Sequence, residues 1–343
     1  MGVLTAAARG GLPERQPAQL LADVQKAQVD GLSGTIVQNA DLGLPSLPGV
    51  GGAGSSDMTS LISGSHTLRL WYAGPNKVRL ALLGSLGESD LVRNGTDFWM
   101  WSSKDKTATH REVPLTKDDA AQKLADSSPT TPQQAADAAL AAISPTTKVT
   151  TDGTATVAGR PAYELLLQPK DAGSLVDSVR IAIDGKTHVP TRVQVFAKNS
   201  QDPSFEVGFT SFDPTTPSAS AFGFNPPPGT KVTEGSSSSR KTPDKPAAPG
   251  KGLTDHADKA GSQARPKIVG TGWSSVVVAR VPSDATSGSA QLTRMLKVLP
   301  TVSGAWGSGH LLRGTLFSAL LTDDGRLVVG AVAPEALYAA LAG

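Results

Sequence analysis

The sequence predicts an α+β protein: a large curved antiparallel sheet with interrupting helices, followed by a linker and a small α+β domain. Two long runs of strand and turn sequence, 64–113 and 148–224, flank a helical interlude. A segment over 234–267 then holds Ser, Pro, Lys, Asp and Gly with almost nothing apolar, which is typical of a flexible linker. The predicted division is therefore a curved-sheet domain at 1–233, the linker, and a C-terminal domain at 268–343.

The first block opens with a helix and a strand. Apolar residues recur at helical spacing over 17–30, and 32–37 is the first predicted strand. A Gly- and Pro-rich loop over 43–63 carries a short helical turn at 58–62. The dipeptide Asn94-Gly95 predicts a hairpin. The strands of this block are predicted at 65–73, 77–83, 89–93, 97–101 and 107–113.

The second block shows a period of two along each strand. Two short helices over 120–142 precede it, with Pro132 between them. Apolar residues then alternate with polar ones, so each strand has one buried face. These strands are predicted at 148–157, 162–168, 175–184, 191–198 and 204–212.

The C-terminal domain has a mixed pattern. Its helix at 334–341 begins with a proline, which suits the first helical turn. The other predicted elements are a strand at 273–281, a helix at 290–299, and a hairpin of 311–321 with 326–333 over Asp323-Asp324-Gly325.

Composition excludes several classes of function. The 343 residues carry a net charge of +2 with no long basic block, so no nucleic-acid partner is expected. Cysteine is absent, which removes disulfides and zinc thiolate sites. No apolar stretch is long enough to span a bilayer. The first residues match neither a signal peptide nor a myristoylation signal, so the protein is expected to be cytoplasmic or to have lost an export segment.

The motifs with possible chemistry favour structural explanations. The run Gly49–Gly54 fits GxGxxG, but it follows a Pro-rich stretch and lacks the βαβ setting of a dinucleotide site. The five histidines have no metal-ligand spacing, so no metal and no cofactor are expected. Asp118-Asp119 and Asp323-Asp324 suit solvated turns better than acid–base work. A hydrolase using His110 or Ser308 ranks last because Ser308 has no strand–turn–helix context.

Large aromatic residues concentrate in the first block although the chain is only 5% aromatic. In Phe98-Trp99-Met100-Trp101 both faces of one strand carry bulk, and Trp71 and Tyr72 belong to a neighbouring strand. Either sheet and helix bury the strand on both sides, or one row lines a cavity for an apolar guest. The pattern leaves both explanations open.

Several segments together resemble the LolA/LolB-like superfamily, and specifically its actinobacterial outer-membrane-lipoprotein carrier and sigma-E regulatory (MucB/RseB-like) members. The resemblance covers about residues 20–232. The segments that carry it, in order, are Leu32-Ser33-Gly34-Thr35, Asn94-Gly95-Thr96-Asp97-Phe98-Trp99, Val157-Ala158-Gly159-Arg160-Pro161-Ala162-Tyr163-Glu164-Leu165, Ile183-Asp184 with His188-Val189-Pro190, and Phe222-Gly223-Phe224 with Pro228-Gly229-Thr230-Lys231-Val232.

The resemblance implies that the domain at 1–233 is an unclosed antiparallel β half-barrel capped by helices. It further implies a non-enzymatic protein, secreted or membrane-tethered outside the cytoplasm, whose half-barrel binds lipid or the acyl chain of a lipoprotein. A MucB/RseB-like module that binds an anti-sigma factor is the alternative. The proposed cavity residues take one parity on each strand, and the inverted parity would replace Tyr72 and Phe98 by Trp71, Trp99 and Trp101. The proposed residues are Leu68, Leu70, Tyr72, Val78, Leu80, Leu82, Phe98, Met100, Ile181, Ile183, Val193 and Val195.

Overall fold

The computed structural model describes residues 12–45, 55–85, 87–113, 131–141, 145–235, 266–281 and 296–342. Within them the α-helices are α1 (Pro17–Lys26), α2 (Pro132–Ala141) and α3 (Pro334–Ala342). Short 3-10 turns lie at Met58–Ile62, Ala219–Phe222 and Gly272–Ser274.

Twelve strands form the large sheet of the first domain. They are β1 (Leu32–Ala40), β2 (Gly64–Tyr72), β3 (Lys77–Gly84), β4 (Gly87–Asn94), β5 (Asp97–Ser102), β6 (Thr107–Glu112), β7 (Thr147–Val157), β8 (Arg160–Pro169), β9 (Val176–Asp184), β10 (Pro190–Ala197), β11 (Pro203–Asp213) and β12 (Lys231–Glu234). The C-terminal domain contributes β13 (Lys267–Val269), β14 (Val276–Arg280), β15 (Thr301–Gly304), β16 (Gly307–Arg313), β17 (Ser318–Thr322) and β18 (Arg326–Gly330).

The large sheet is open at both ends. Its strand order is β12–β6–β5–β4–β3–β2–β1–β11–β10–β9–β8–β7. Every neighbouring pair is antiparallel except β12 and β6, which run parallel. The sheet ends at β12 and β7 within the described residues, so it does not close into a barrel. The predicted fold class, an unclosed antiparallel sheet with few helices, is confirmed.

Strand β1 joins the two blocks at the centre of the sheet. It pairs with β2 on one side and with β11 on the other. The β1–β11 register shifts between Thr35 and Ile36. Beside this bulge a Cβ on Gly34 would overlap the carbonyl of Ser211 and crowd the ring of Phe209. Glycine is therefore required where these two backbones approach each other.

Helices α1 and α2 cover one face of the large sheet, here called the inner face. Leu20 and Val24 of α1 share one buried core with apolar residues of β1–β3 and β8–β11. Helix α2 adds Ala135 and Ala136 to the same core. The helices thus cap the inner face, as the predicted half-barrel requires.

A capping box fixes the start of α2. The Gln134 N–H donates to Thr131 Oγ1 at 3.2 Å, and the Thr131 N–H donates to Gln134 Oε1 at 3.2 Å. Pro132 occupies the first helical turn, where its missing N–H leaves no helical bond unmade. This reciprocal pair is the Thr-x-x-Gln signature of a helix N-terminus.

A buried carboxylate fixes the β9–β10 turn. The Arg160 guanidinium donates to both oxygens of Asp184, at 2.6 and 3.0 Å. The backbone N–H groups of Lys186 and Thr187 donate to the same carboxylate. Burial alone would raise the pKa of Asp184, but these hydrogen bonds outweigh it and lower the pKa to about 2. The ionised carboxylate therefore stabilises the fold.

The C-terminal domain is a six-stranded sheet with α3 on one face. Its strand order is β13–β14–β18–β17–β16–β15. Leu337 of α3 packs with Leu311, Leu320 and Val328 in a second buried core. This domain therefore has its own hydrophobic core.

Backbone hydrogen bonds dock the two domains against each other. The Leu175 N–H donates to the Ala331 carbonyl at 2.7 Å, and the Thr315 N–H donates to the Leu42 carbonyl at 2.8 Å. The half-buried indole of Trp273 packs against the core of the first domain. The two domains are thus in direct contact.

Several predicted boundaries are wrong for local reasons. Helix α1 stops at Lys26, not at residue 30, because Ala27 already has an extended ψ of 116°. The loop between β4 and β5 is Gly95-Thr96, one residue later than the dipeptide indicates, and Gly95 supplies its φ of 67°. The predicted strand at 273–281 begins only at Val276, because a 3-10 turn precedes it.

The C-terminal domain holds the largest errors. The predicted strand at 311–321 is two antiparallel strands, because the Gly314 N–H donates to the Phe317 carbonyl and closes a turn. Strands β12, β13 and β15 were not predicted, since three or four residues are too few to show a period. Glu234 and Lys267, the ends of the predicted linker, lie in β12 and β13.

Other predictions fall outside the described residues. They are the GxGxxG run, Asp118-Asp119, most of the helix before Pro132, the linker over 236–265 and the helix at 290–299 up to residue 295.

We expect Asp184→Asn to lower the free energy of unfolding near neutral pH by about 2 kcal/mol, because the Arg160 guanidinium and the N–H groups of the turn lose their charged acceptor. The lowered pKa means this stabilisation is complete above the unfolded value of 3.8 and is lost as pH falls towards about 2. Urea unfolding along an acid pH series measures it. Asp152→Asn is the control, since that carboxylate is 47% exposed beside Arg180. Equal effects of the two substitutions near neutral pH would contradict the assignment.

We expect Ile181→Ala to lower the free energy of unfolding by roughly 2–5 kcal/mol, because Ile181 is 0% exposed in the main core. The matched control is Val277→Ala, which truncates a 39% exposed side chain. Chemical denaturation compares the two, and a cost below about 1 kcal/mol at Ile181 would mean that the core collapses around the gap.

Candidate functional site

All twelve proposed cavity residues lie on the inner face. Directly opposed residues of an antiparallel ladder point to the same side. One row across β2–β5 is Leu70, Leu80, Leu91 and Met100. A second row is Tyr72, Val78, Arg93 and Phe98. The remaining members on β9 and β10 lie on the same side of the sheet. There Val193 opposes Ile181, Val195 opposes Val179, and Pro190 opposes Ile183.

Six of the twelve are part of the packed core. Each is at most 5% exposed and contacts the cluster that α1, α2 and Leu61 complete. Leu70, Tyr72 and Val195 pack at the edge of this cluster. The six core members are Leu68, Leu80, Leu82, Ile181, Ile183 and Val193. Protein side chains occupy this half of the inner face.

The inner face becomes accessible towards β5. Along the first row Leu80 is 5% exposed, Leu91 is half-buried, and Met100 is 45% exposed. Along the second row Tyr72, Val78 and Phe98 are all half-buried. We call Tyr72, Val78, Leu91, Phe98 and Met100 the β5 patch. It is the accessible part of the inner face next to β5.

One polar and one charged group accompany the β5 patch. Arg93 is only 5% exposed, lies between Val78 and Phe98 in the ladder, and donates from Nε to the Gly95 carbonyl at 3.2 Å. Burial raises the pKa of Tyr72, so its phenol is neutral and can donate a hydrogen bond. The patch can therefore contact an apolar chain, and the Tyr72 hydroxyl offers a hydrogen-bond donor at one end.

Buried polar residues close the opposite end of the inner face. Gln38 and His66 oppose each other across β1 and β2 and are at most 2% exposed. Gln38 Nε2 donates to the Leu61 carbonyl at 2.5 Å, and His66 Nε2 lies 2.9 Å from the Ser63 carbonyl. These bonds fix the 3-10 turn over this end.

The outer face carries the other aromatic row. Trp99 and Trp101 lie there, and the ring of Phe224 contacts both, at centroid distances of 5.4 and 6.1 Å. Phe222 in the same segment is 1% exposed. The chain over 219–234 therefore covers the row that the inverted parity would have placed inward. The large side chains of β5 are therefore covered by residues 219–234 on the outer face and belong to the β5 patch on the inner face.

The residues of the hydrolase alternative lie in different sheets. His110 is on β6 of the large sheet, and Ser308 is on β16 of the small one. The Ser308 hydroxyl donates to the Asp323 carboxylate. Asp324 bonds Arg326 and Thr322, and these bonds lower its pKa. The second carboxylate pair thus stabilises its turn.

Within the part of the chain that the structure describes, no group of three or more His, Asp or Glu side chains could hold a metal ion. None of the described helices combines the length and the apolar character that a membrane-crossing helix needs.

Two shallow grooves lie where the domains meet. One of about 350 Å³ is lined mainly by β10–β11 residues and Thr315. The other, of about 400 Å³, is lined by Pro45 and by C-terminal residues that include Leu311 and Arg313. None of the twelve proposed residues lines either groove.

The structural roles of three relevant residues were not predicted from the sequence. Leu91 and Arg93 belong to the inner-face rows, but β4 shows no apolar alternation that would assign its faces. Phe224 covers the outer aromatic row from more than 120 residues away in sequence, and only its place in an apolar, Pro-rich segment hinted at a packed position.

Comparisons with known proteins give a family and several distant structures. The model of the family described as "Predicted periplasmic protein (DUF2092)" matches residues 56–234. A search of curated proteins finds no match.

Among solved structures, the complex of Pseudomonas aeruginosa MucA and MucB is 17% identical with a TM-score of 0.46, covering 95% of this chain and 96% of that one. An uncharacterised conserved protein from Thermus thermophilus is 11% identical with a TM-score of 0.35, covering 63% and 98%. A LolA superfamily protein from Nitrosomonas europaea is 9% identical with a TM-score of 0.24, covering 62% and 99%.

MucB and the LolA superfamily are the groups that the sequence resemblance named. The family match covers β2–β12, and with them the β5 patch and the segment that covers the outer face. Because it spans more than half of the chain, the protein belongs to the DUF2092 family of predicted periplasmic proteins.

Proposed function

We propose that the protein binds a lipid, or the acyl chain of a lipidated protein, on the β5 patch, and that it does so outside the cytoplasmic membrane without making or breaking bonds. The observation that supports this proposal is the increase in side-chain exposure along the inner face, from the packed core to β5. One row runs from Leu80 in the packed core through Leu91 to Met100, a large apolar side chain that is 45% exposed.

The patch suits an acyl chain more than a polar ligand. Its five side chains are apolar apart from the Tyr72 hydroxyl, and they adjoin in two rows of the ladder. Burying a methylene contributes about 0.8 kcal/mol, so a sixteen-carbon chain offers roughly 10 kcal/mol before the costs of association. Contact with part of such a chain is enough for reversible binding.

The neutral phenol of Tyr72 favours a chain that ends in an anionic or carbonyl group. It borders the patch in the ladder row that also contains Val78 and Phe98. A head group placed beside it would accept a hydrogen bond while its chain runs along Leu91 and Met100. The description of the family as periplasmic supports a site outside the cytoplasm.

Mass spectrometry of an organic extract of the purified protein tests the proposal directly. We expect a co-purified lipid at close to one molecule per chain. An extract free of lipid, together with no binding of a fluorescent fatty acid, would refute lipid binding.

We expect Met100→Asp to weaken binding of a fluorescent fatty acid at least roughly tenfold, because it puts a charge into the apolar contact. Stability should change by less than about 0.5 kcal/mol, since the position is largely accessible. The control is Ile268→Asp, which alters a 67% exposed side chain of the C-terminal domain. Fluorescence titration compares the affinities, and unchanged binding by the Met100 variant would place the ligand elsewhere.

The second candidate is a regulatory module that binds an anti-sigma factor. The observation that favours it is the direct docking of the two domains through Leu175–Ala331 and Thr315–Leu42, since the MucB/RseB resemblance implies that both domains take part in binding the anti-sigma factor. A pull-down with the extracytoplasmic part of a single-span anti-sigma protein encoded nearby would support it. Loss of that interaction in Met100→Asp would mean that lipid and partner share one surface.

A further inference from the structure

A single segment, which we call the strap, crosses the outer face. It comprises Ala219–Glu234 and ends in β12. Its first turn packs on β3 and β4, where Phe222 is almost fully buried. Phe224 then covers Trp99 and Trp101.

The last step of the strap is a parallel pairing of four residues. β12 runs beside β6 from Lys231 opposite Thr107 to Glu234 opposite His110. The N–H of Gly235 donates to the His110 carbonyl at 2.7 Å. All four β12 side chains are exposed, so little apolar burial holds this pairing. It depends on its hydrogen bonds and on the His110 side chain.

His110 bridges two carboxylates. Its Nδ1 lies 2.9 Å from Glu234 Oε2 on β12, and its Nε2 lies 3.0 Å from Asp97 Oδ1 on β5. The imidazole is also stacked on Trp99, with ring centroids 4.3 Å apart. The ring therefore connects the strap, through Glu234, to the body of the sheet.

Only the charged imidazole can make both bonds. An imidazolium carries an N–H on each nitrogen and can donate to Glu234 and Asp97 together. A neutral ring keeps one N–H, so one carboxylate faces a nitrogen lone pair about 3 Å away, which is repulsive. Deprotonation therefore removes one charge-assisted bond and weakens the other.

We propose that the strap is an acid-tightened latch, in which protonated His110 holds β12 against β6 and deprotonation at higher pH releases it. Release detaches the C-terminal end of the strap and uncovers part of the outer aromatic face. Lipid binding on the inner face is not required for this latch.

The charges around His110 also favour its protonated form. Partial burial acts to lower the pKa of His110, but the hydrogen bonds and charges of Asp97 and Glu234 outweigh it and raise the pKa. Those two carboxylates are the charged groups that face the ring from β5 and β12. The raised pKa means that the stabilisation is complete below the unfolded value of 6.5 and is lost as pH rises through the folded value.

A second titrating group on the same face works in the same direction. Asp90 on β4 is 1% exposed, and burial, reinforced by Glu88 and opposed by Arg79, raises its pKa to about 6. Its protonation removes a buried charge beneath the strap. The stability that this gives is present at acid pH and is lost as pH rises through about 6.

Hydrogen exchange of the strap in the full chain tests the latch. Protection factors of a peptide spanning residues 222–235 are compared near pH 5 and near pH 8, after correction for intrinsic exchange. We expect protection of the Lys231 and Gly235 amides to fall by about fivefold at the higher pH, because ion pairs of this exposure contribute up to about that factor. Glu234→Gln, whose side chain is 72% exposed in the wild type, should abolish most of this pH dependence without unfolding the domain.

His188→Asn is the matched control, because that histidine lies 3.9 Å from Asp23 far from the strap, and asparagine tolerates its positive φ of 58°. It should leave the pH dependence of strap protection unchanged. Equal wild-type protection at both pH values would overturn the latch. So would a Glu234→Gln variant that keeps the full wild-type pH dependence.

Discussion

The structure depends on covering both faces of one twelve-stranded sheet. A strand that is apolar on one side needs a single layer against it, but β2–β5 carry large side chains on both sides. Helices and the 3-10 turn cover part of the inner face, and the strap covers the outer face. The portion of the inner face next to β5 has no such cover among the described residues, and Met100 is exposed there as a result.

This uneven cover explains how one parity of side chains serves two purposes. At β8–β10 the inward residues share one buried core with α1 and α2. At β4–β5 the same parity meets no helix among the described residues. Stability therefore depends on residues such as Ile181, and ligand contact on residues such as Met100. The strap completes the division, because Phe224 packs against Trp99 and Trp101 on the outer face and β12 pairs with β6.

The sequence predicted features that arise locally. Period two assigned the strands, and consistent parity placed all twelve proposed residues on one face. It could not show that six of them lie in a core shared with α1 and α2, since Leu20, Ala136 and Ile181 come from distant segments of the chain. Strands of three or four residues are too short to show a period of two, so β12 and the His110 bridge could not be predicted. Gly314 looked like part of one strand because flanking apolar residues hid the turn.

Methyl-resolved NMR during titration with a long-chain fatty acid tests the division of the inner face most directly. We expect the signals of Met100, Leu91 and Val78 to shift with saturating amounts of ligand, while those of Ile181 and Ile183 stay in place. Shifts centred on the isoleucines, or spread evenly over both sets, would contradict it.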